Sequence, residues 1–327
     1  MRPGKTTLVA LLFVVAFVAR ASVQHRQGSQ PGTPAIVKPH APFGIVAFDL
    51  NPPVPRLLQT LGVGEVGGSC SWRDLEPAQG VFNWSCSDNV IMAAQPLMLR
   101  SSMTVLCTPG WANGNRGCNQ MPADISDWYY FVANYVTRYQ HFNTILGVWN
   151  EPNFDFNLLD TSTGQNYALL FINASNARNS VNTKFVLAGP ETSHHALASG
   201  YFSGTMKAIQ SFGALDDQDI VAVHWYPDGP PILNYMDGIR ATVPSRDVWL
   251  SETGIATNDA AQQADFYNRM LDTFEHSGRP WWTHIVFYRL WDGRDCCSES
   301  IVRSDYSPKP AFGAYLSWIL KLKPSAD

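Results

Sequence analysis

Eight short runs rich in apolar and β-branched residues recur at 43–50, 63–70, 101–107, 144–150, 185–190, 220–226, 247–252 and 282–291, with amphipathic stretches between them. They lack polar alternation, as strands of a parallel sheet do when helices cover it and both faces are buried. Two of the intervening helices can be read by period. After Asp124 or Ser126 as N-cap, Trp128, Phe131, Val132, Tyr135 and Tyr139 share one helical face. After Asn258, the positions Ala260, Ala264, Tyr267, Leu271 and Phe274 do the same, and Gly278 followed by Pro280 ends that helix. Segment 54–61 is a short helix, 85–98 is interrupted by Pro96, and the last helix runs over 309–321. Strict alternation with eight strands leaves two α/β architectures, a closed (β/α)8 TIM barrel or a doubly wound open sheet. No G-x-G-x-x-G turn follows the first strand, so the single-domain barrel is expected.

Residues 1–21 read as an export signal: Arg2 and Lys5, an apolar run from about Leu8 to Val18, then Ala19, Arg20 and Ala21 before Ser22. The apolar run is too short to span a bilayer. A buried core helix is the competing reading, disfavoured by the polar, proline-bearing segment that follows at once. A signal peptide cleaved near Ala21 and a secreted or periplasmic chain are therefore expected. A flexible segment over 22–41 would then lead into the barrel over 42–327, a comfortable length for one barrel. A net charge of −4, a charged fraction of 15% and the lack of any basic run exclude a polyanion partner. Neither nucleic acid nor membrane is expected as a partner, and the chain is expected to be a monomer.

Six cysteines in an exported chain imply disulfides, although six allow 15 connectivities. Cys107 and Cys118 flank a loop containing Pro109, Gly110, Gly114 and Gly117 and make the natural local bridge. Cys70 with Cys86 comes next. That leaves Cys296 and Cys297, whose mutual bond would close a small strained ring, so long-range pairing stays open. His194 and His195 are adjacent and would point apart on a strand; no metal site and no cofactor are expected.

In a barrel of this kind the chemistry is placed at the C-terminal ends of the strands. Polar and aromatic residues cluster there: Trp111 after the third run, Asn150 and Glu151 after the fourth, His224, Trp225 and Tyr226 at the end of the sixth, Glu252 at the seventh, Trp291 at the eighth. One such glutamate is as readily a helix cap or a surface residue. Two of them, three strand–helix repeats apart, face each other across the rim. Glycoside hydrolysis needs one carboxylic acid to protonate the leaving oxygen and a second carboxylate to attack, about 5 to 5.5 Å away in retaining enzymes. The 11 tryptophans fit either sugar stacking or plain core filling.

Val148-Trp149-Asn150-Glu151-Pro152-Asn153 resembles the acid/base motif of the clan A glycoside hydrolases, and Trp249-Leu250-Ser251-Glu252-Thr253-Gly254 resembles their nucleophile motif. Trp72-Arg73-Asp74-Leu75-Glu76-Pro77 with Gly80, Phe82 and Trp84 is similar to the stretch after strand 2 in families 5 and 39, and His224-Trp225-Tyr226-Pro227 to the strand 6 pattern. A short single-barrel endoglycosidase of the family 39 type is the form it most resembles. The resemblance implies a secreted retaining β-glycoside hydrolase acting on a β-linked carbohydrate, with Glu151 as acid/base and Glu252 as nucleophile. It also implies Asn150 on the sugar 2-hydroxyl, Tyr226 and His224 beside the nucleophile, Trp291 as sugar platform, and Trp111 and Trp225 as further aromatic walls. Such families commonly carry an arginine on strand 2 where this chain has Gly67; Arg289 is a possible replacement. Two rival functions remain. An inactive sugar-binding barrel would keep the fold, and an α/β esterase would need a G-x-S-x-G elbow that the sequence lacks. Glucan, xylan, mannan, galactan and microbial exopolysaccharide all remain open as substrates.

Overall fold

A computed structural model describes residues 40–159 and 163–322 of the 327. The expected export signal and all but the end of the 22–41 segment lie outside the described residues. Along the chain come β1 (His40–Val46), α1 (Val54–Leu61), β2 (Val63–Ser71), α2 (Ser85–Ala94), β3 (Arg100–Leu106), α3 (Ile125–Tyr139), β4 (Thr144–Val148) and α4 (Gln165–Val181). There follow β5 (Val186–Thr192), α5 (Tyr201–Ser211), β6 (Ile220–His224), α6 (Ile232–Thr242), β7 (Val248–Thr253), α7 (Ala260–Glu275), β8 (Trp282–Phe287) and α8 (Pro310–Lys321). Every strand pairs in parallel with its neighbours, and β1 pairs with β8, which closes the barrel. Single helical turns occupy several of the connections.

The helices start and stop where local chemistry dictates. Asp124 caps α3 by accepting from the Ser126 amide at 2.9 Å, and Asp259 caps α7 from Ala261 at 2.9 Å and Gln262 at 3.1 Å. In α7 the buried stripe is Gln263, Phe266, Tyr267, Met270, Leu271 and Phe274, so Ala260 and Ala264 lie beside it rather than in it. Pro96 ends α2 early: the helix stops at Ala94 and a 3-10 turn over Gln95–Leu97 follows.

Several strands differ from their expected bounds. β1 ends at Val46 because Asp49 turns the chain by accepting from the Asn51 amide at 2.8 Å. β8 ends at Phe287, four residues before Trp291. β5 runs past Pro190 to Thr192, with a shift in its pairing to β6 between those two residues. A bulge lets a strand continue past a proline that cannot donate to the ladder.

All 11 tryptophans are buried or half-buried. Trp72, Trp128 and Trp149 are fully enclosed, and Trp72, Trp84, Trp128, Phe131, Tyr135 and Tyr139 form one aromatic cluster between the barrel and its helices. Core packing, not sugar stacking, accounts for most of this tryptophan content. The two local disulfides are Cys70–Cys86, joining β2 to α2, and Cys107–Cys118. Cys296 and Cys297 are free and exposed, and Cys297 donates its amide to Asn258 Oδ1 at 2.7 Å. Among the described residues no helix is long and apolar enough to cross a membrane.

Candidate active site

A cleft of about 400 Å³ opens at the C-terminal ends of the strands. Asn150, Glu151, His224, Tyr226 and Glu252 all line it. β6 delivers His224 as its last residue and β7 delivers Glu252 as its penultimate one; the two are register partners. Glu151 follows β4 in a left-handed conformation (φ 40°), and its amide donates to the Glu191 carbonyl at 3.0 Å. Trp149 (φ 63°) and Glu191 (φ 44°) share that conformation. For residues with a Cβ this costs of order 1–3 kcal/mol each, the kind of strain that clusters at functional sites.

The buried His224 ring joins the two glutamates. Its Nδ1 is 3.2 Å from Glu151 Oε1 and 3.7 Å from Glu252 Oε1. One carboxylate oxygen of Glu151, one of Glu252 and that ring nitrogen lie within 4.8 Å of one another. The Tyr226 hydroxyl donates to Glu252 Oε1 at 2.7 Å. Burial disfavours the imidazolium of His224, but Glu252, Glu151 and Glu191 outweigh it and raise its pKa to about 9. The ring is therefore cationic at neutral pH. Burial pushes the Glu252 carboxyl up, while the His224 cation and the Tyr226 hydrogen bond oppose the rise. These carboxylates, with the ring nitrogen, are also the atoms of the cleft that could chelate a metal ion; the hydrogen bonds just described already engage them.

Gly67 lies on the cleft floor with Gly68, and no cation projects from that strand toward Glu252. Arg289 does not replace one. Its Nη2 bonds Asp292 Oδ2 at 2.8 Å, and its guanidinium lies 4.8 Å from the Tyr288 ring centroid. The positive charge beside Glu252 belongs to His224.

The three expected aromatic walls lie outside the cleft lining. Trp111 donates its indole N–H to the Glu76 carbonyl at 2.8 Å, and Trp225 is buried and donates to the Pro230 carbonyl at 2.8 Å. Trp291 stacks on Tyr306 at 4.9 Å. The rings that do line the cleft are Phe48, Phe156, Tyr226 and Tyr288, with Phe156 stacked on Phe154 at 5.1 Å. Phe156 and Phe48 are exposed.

A third carboxylate, Glu191, also reaches the cleft and was not expected from the sequence. Its Oε2 accepts from Thr104 at 2.7 Å, and Gly147 on β4 makes room for it, since a Cβ there would collide with the Glu191 carboxylate. Burial raises its pKa to about 7 against the opposing pull of His224 and Thr104. Its signal in the sequence is a carboxylate directly after an apolar run, as for Glu151, but Pro190 hides it by suggesting that the strand has ended.

A family profile described as glycosyl hydrolase catalytic core matches residues 112–300. No curated protein matches the sequence. Among solved structures, the chain resembles a family 39 glycoside hydrolase from the gut symbiont Bacteroides cellulosilyticus WH2 at 19% identity and a TM-score of 0.67, over 86% of this chain and 64% of the other. It thus spans less than two thirds of that protein's length. A glucosidase from Croceicoccus marinus gives 15% identity and 0.70 over 87% and 68% of the two chains. A family 10 endo-β-1,4-xylanase from Gloeophyllum trabeum gives 18% and 0.63 over 86% and 96%. At these identities the likeness is one of fold.

Proposed function

Because the chain belongs to the glycosyl hydrolase catalytic core family, we propose that it is a secreted retaining β-glycoside hydrolase, endo-acting on a β-linked polysaccharide. The observation that carries this reading is the placement of Glu151 and Glu252 on either side of one imidazole, with carboxylate oxygens within 4.8 Å. That spacing suits a nucleophile and an acid/base with no room for a water between them, as retention requires.

Glu252 attacks the anomeric carbon while the Glu151 carboxylic acid protonates the departing oxygen. A covalent glycosyl-enzyme forms, with the sugar bonded to Glu252 through an α linkage. Glu151, now a carboxylate, removes a proton from water, which attacks the anomeric carbon and releases a β product. Tyr226 and the His224 cation keep Glu252 ionised before attack. Asn150 serves the sugar 2-hydroxyl, and the exposed rings of Phe48 and Phe156 supply stacking faces. Endo action is supported by a second hollow that adjoins the cleft, sharing Glu151 and Tyr226 with it. Export is supported by the export-type N-terminus and by the two disulfides.

A 2-fluoro glycoside with a good leaving group is expected to label Glu252. Glu252→Gly should lose turnover and be rescued by azide to an α-azide, whereas Glu151→Ala should cleave activated substrates and give a β-azide. Proton NMR of wild-type hydrolysis should show the β anomer first. An initial α anomer from a β substrate means inversion and ends the retaining assignment; a polysaccharide panel read by product size tests endo action.

A further inference from the structure

Beyond the two glutamates, the connections after β5 and β6 bring His194, His195 and Asp228 together. β5 ends at Thr192, so the histidines are not on a strand and do not point apart. His194 is in helical backbone (φ −58°, ψ −23°), and the two rings lie 4.1 Å apart. One ligating atom from each of the three residues lies within 4.8 Å of the others. His194 is only 6% exposed, and among the described residues neither of its ring nitrogens has a hydrogen-bond partner. Asp228 Oδ1 stands 3.8 Å from its Nε2. That is too long for a hydrogen bond and close to the separation of two ligands on one tetrahedral ion, about 3.4 Å for bonds of about 2.0–2.2 Å.

The arrangement is built rather than incidental. Asn153 clamps the residue before His194, donating to Ser193 Oγ at 2.8 Å and accepting from the Ser193 amide at 3.0 Å. Gly229 lets the β6 connection close on the ring, since a Cβ there would come within 2.9 Å of His194 Cγ. Phe154 packs edge-on against His195 at 5.9 Å. The hollow these residues share, about 410 Å³, is also lined by Glu151 and Glu299, with no lysine or arginine among its lining residues. A cation is favoured there electrostatically.

We propose that His194, His195 and Asp228 form a binding site for a divalent transition-metal ion of the zinc class, with the remaining coordination position open to water or a sugar hydroxyl. Two imidazoles and one carboxylate are a ligand set suited to zinc. Because Glu151 lines the same hollow, a bound ion occupies the leaving-group side of the cleft and opposes hydrolysis; this second part rests on the proposed role of Glu151.

Chelator-treated full-length protein should bind one equivalent of Zn²⁺ by calorimetry and develop a ligand-field spectrum with Co²⁺. His194→Ala and Asp228→Asn should each weaken Zn²⁺ binding at least about tenfold. Asp228 is 71% exposed, so its replacement leaves the fold intact even if that of His194 does not. Absence of saturable binding overturns the site, as does wild-type affinity in both variants. Loss of binding in Cys296→Ser/Cys297→Ser instead assigns the ion to the cysteine pair and overturns it too. Binding is read without any turnover, so it stands or falls apart from the glycosidase reading. Zn²⁺ should also inhibit hydrolysis with a half-inhibiting concentration at least about tenfold higher in Asp228→Asn; equal inhibition refutes the link to the cleft.

Discussion

His224 and Glu191 bind protons more tightly in the folded chain than in the unfolded one, and that fixes the sign of their pH dependence. The His224 pKa rises from 6.5 to about 9, so its stabilising effect is complete below about pH 6.5 and is lost as pH rises through about 9. For Glu191 burial raises the pKa from 4.5 to about 7, so ionising it in the folded state costs stability as pH rises through about 7. Both groups make the wild-type chain less stable toward alkaline pH. His224→Gln is expected to flatten the decline of melting temperature between pH 6.5 and 9, and Glu191→Gln the decline between 4.5 and 7. Melting curves of the three proteins across those windows check this; parallel curves would show that neither group carries the assigned charge change. His224 was legible as a polar residue ending an apolar run. That it bridges both glutamates was not, because nothing in local sequence relates strand 4 to strands 6 and 7.

At the scale of elements, β2 and the start of α2 are joined by Cys70–Cys86, separated by 16 residues in sequence with Cα atoms 6.1 Å apart. Closing a loop of that length restrains the unfolded chain by about 3 kcal/mol. Cys70→Ser/Cys86→Ser should therefore unfold at lower denaturant by about that free energy, with the slope of the transition steeper as the unfolded chain expands. A loss below about 0.5 kcal/mol would mean that the α2 end is held by packing alone. The pairing of near neighbours was legible because short Gly- and Pro-containing connections let their ends meet. The extension of β5 was not. A proline normally ends a ladder, and only pairing with β6 through a bulge carries the strand on to Glu191.

At the scale of the whole molecule, the barrel divides its labour between its two ends. Near the N-terminal ends of the strands, Glu65 is 1% exposed and accepts from Arg100 Nε at 2.8 Å and Ser102 Oγ at 2.9 Å. The Arg100 guanidinium lies 4.4 Å from the Trp249 centroid, and Trp249 stacks on His284 at 3.7 Å. Of these residues only Ser102 also lines the cleft; the others form a layer beneath it that serves stability. Arg100→Met should cost about 3–5 kcal/mol by leaving Glu65 buried without its cation, and adding Glu65→Leu should recover most of that loss. Chemical denaturation of the single and double variants measures both; a single variant as stable as wild type would show that Glu65 is already neutral there. Eight buried runs, the Asp124 cap of α3 and the two glutamates ending runs 4 and 7 were determined by the sequence itself, because each is written in local periodicity and residue type; the α7 cap falls on Asp259, one residue after the expected Asn258. Which side chains meet across the barrel was decided only by the tertiary structure. The closing of the strands puts His224 between Glu151 and Glu252, admits Glu191, ties the indole N–H groups of Trp111 and Trp225 to backbone carbonyls, stacks Trp291 on Tyr306 and leaves Phe48 and Phe156 at the cleft, since contacts between strands distant in sequence depend on register and closure rather than on any neighbour along the chain.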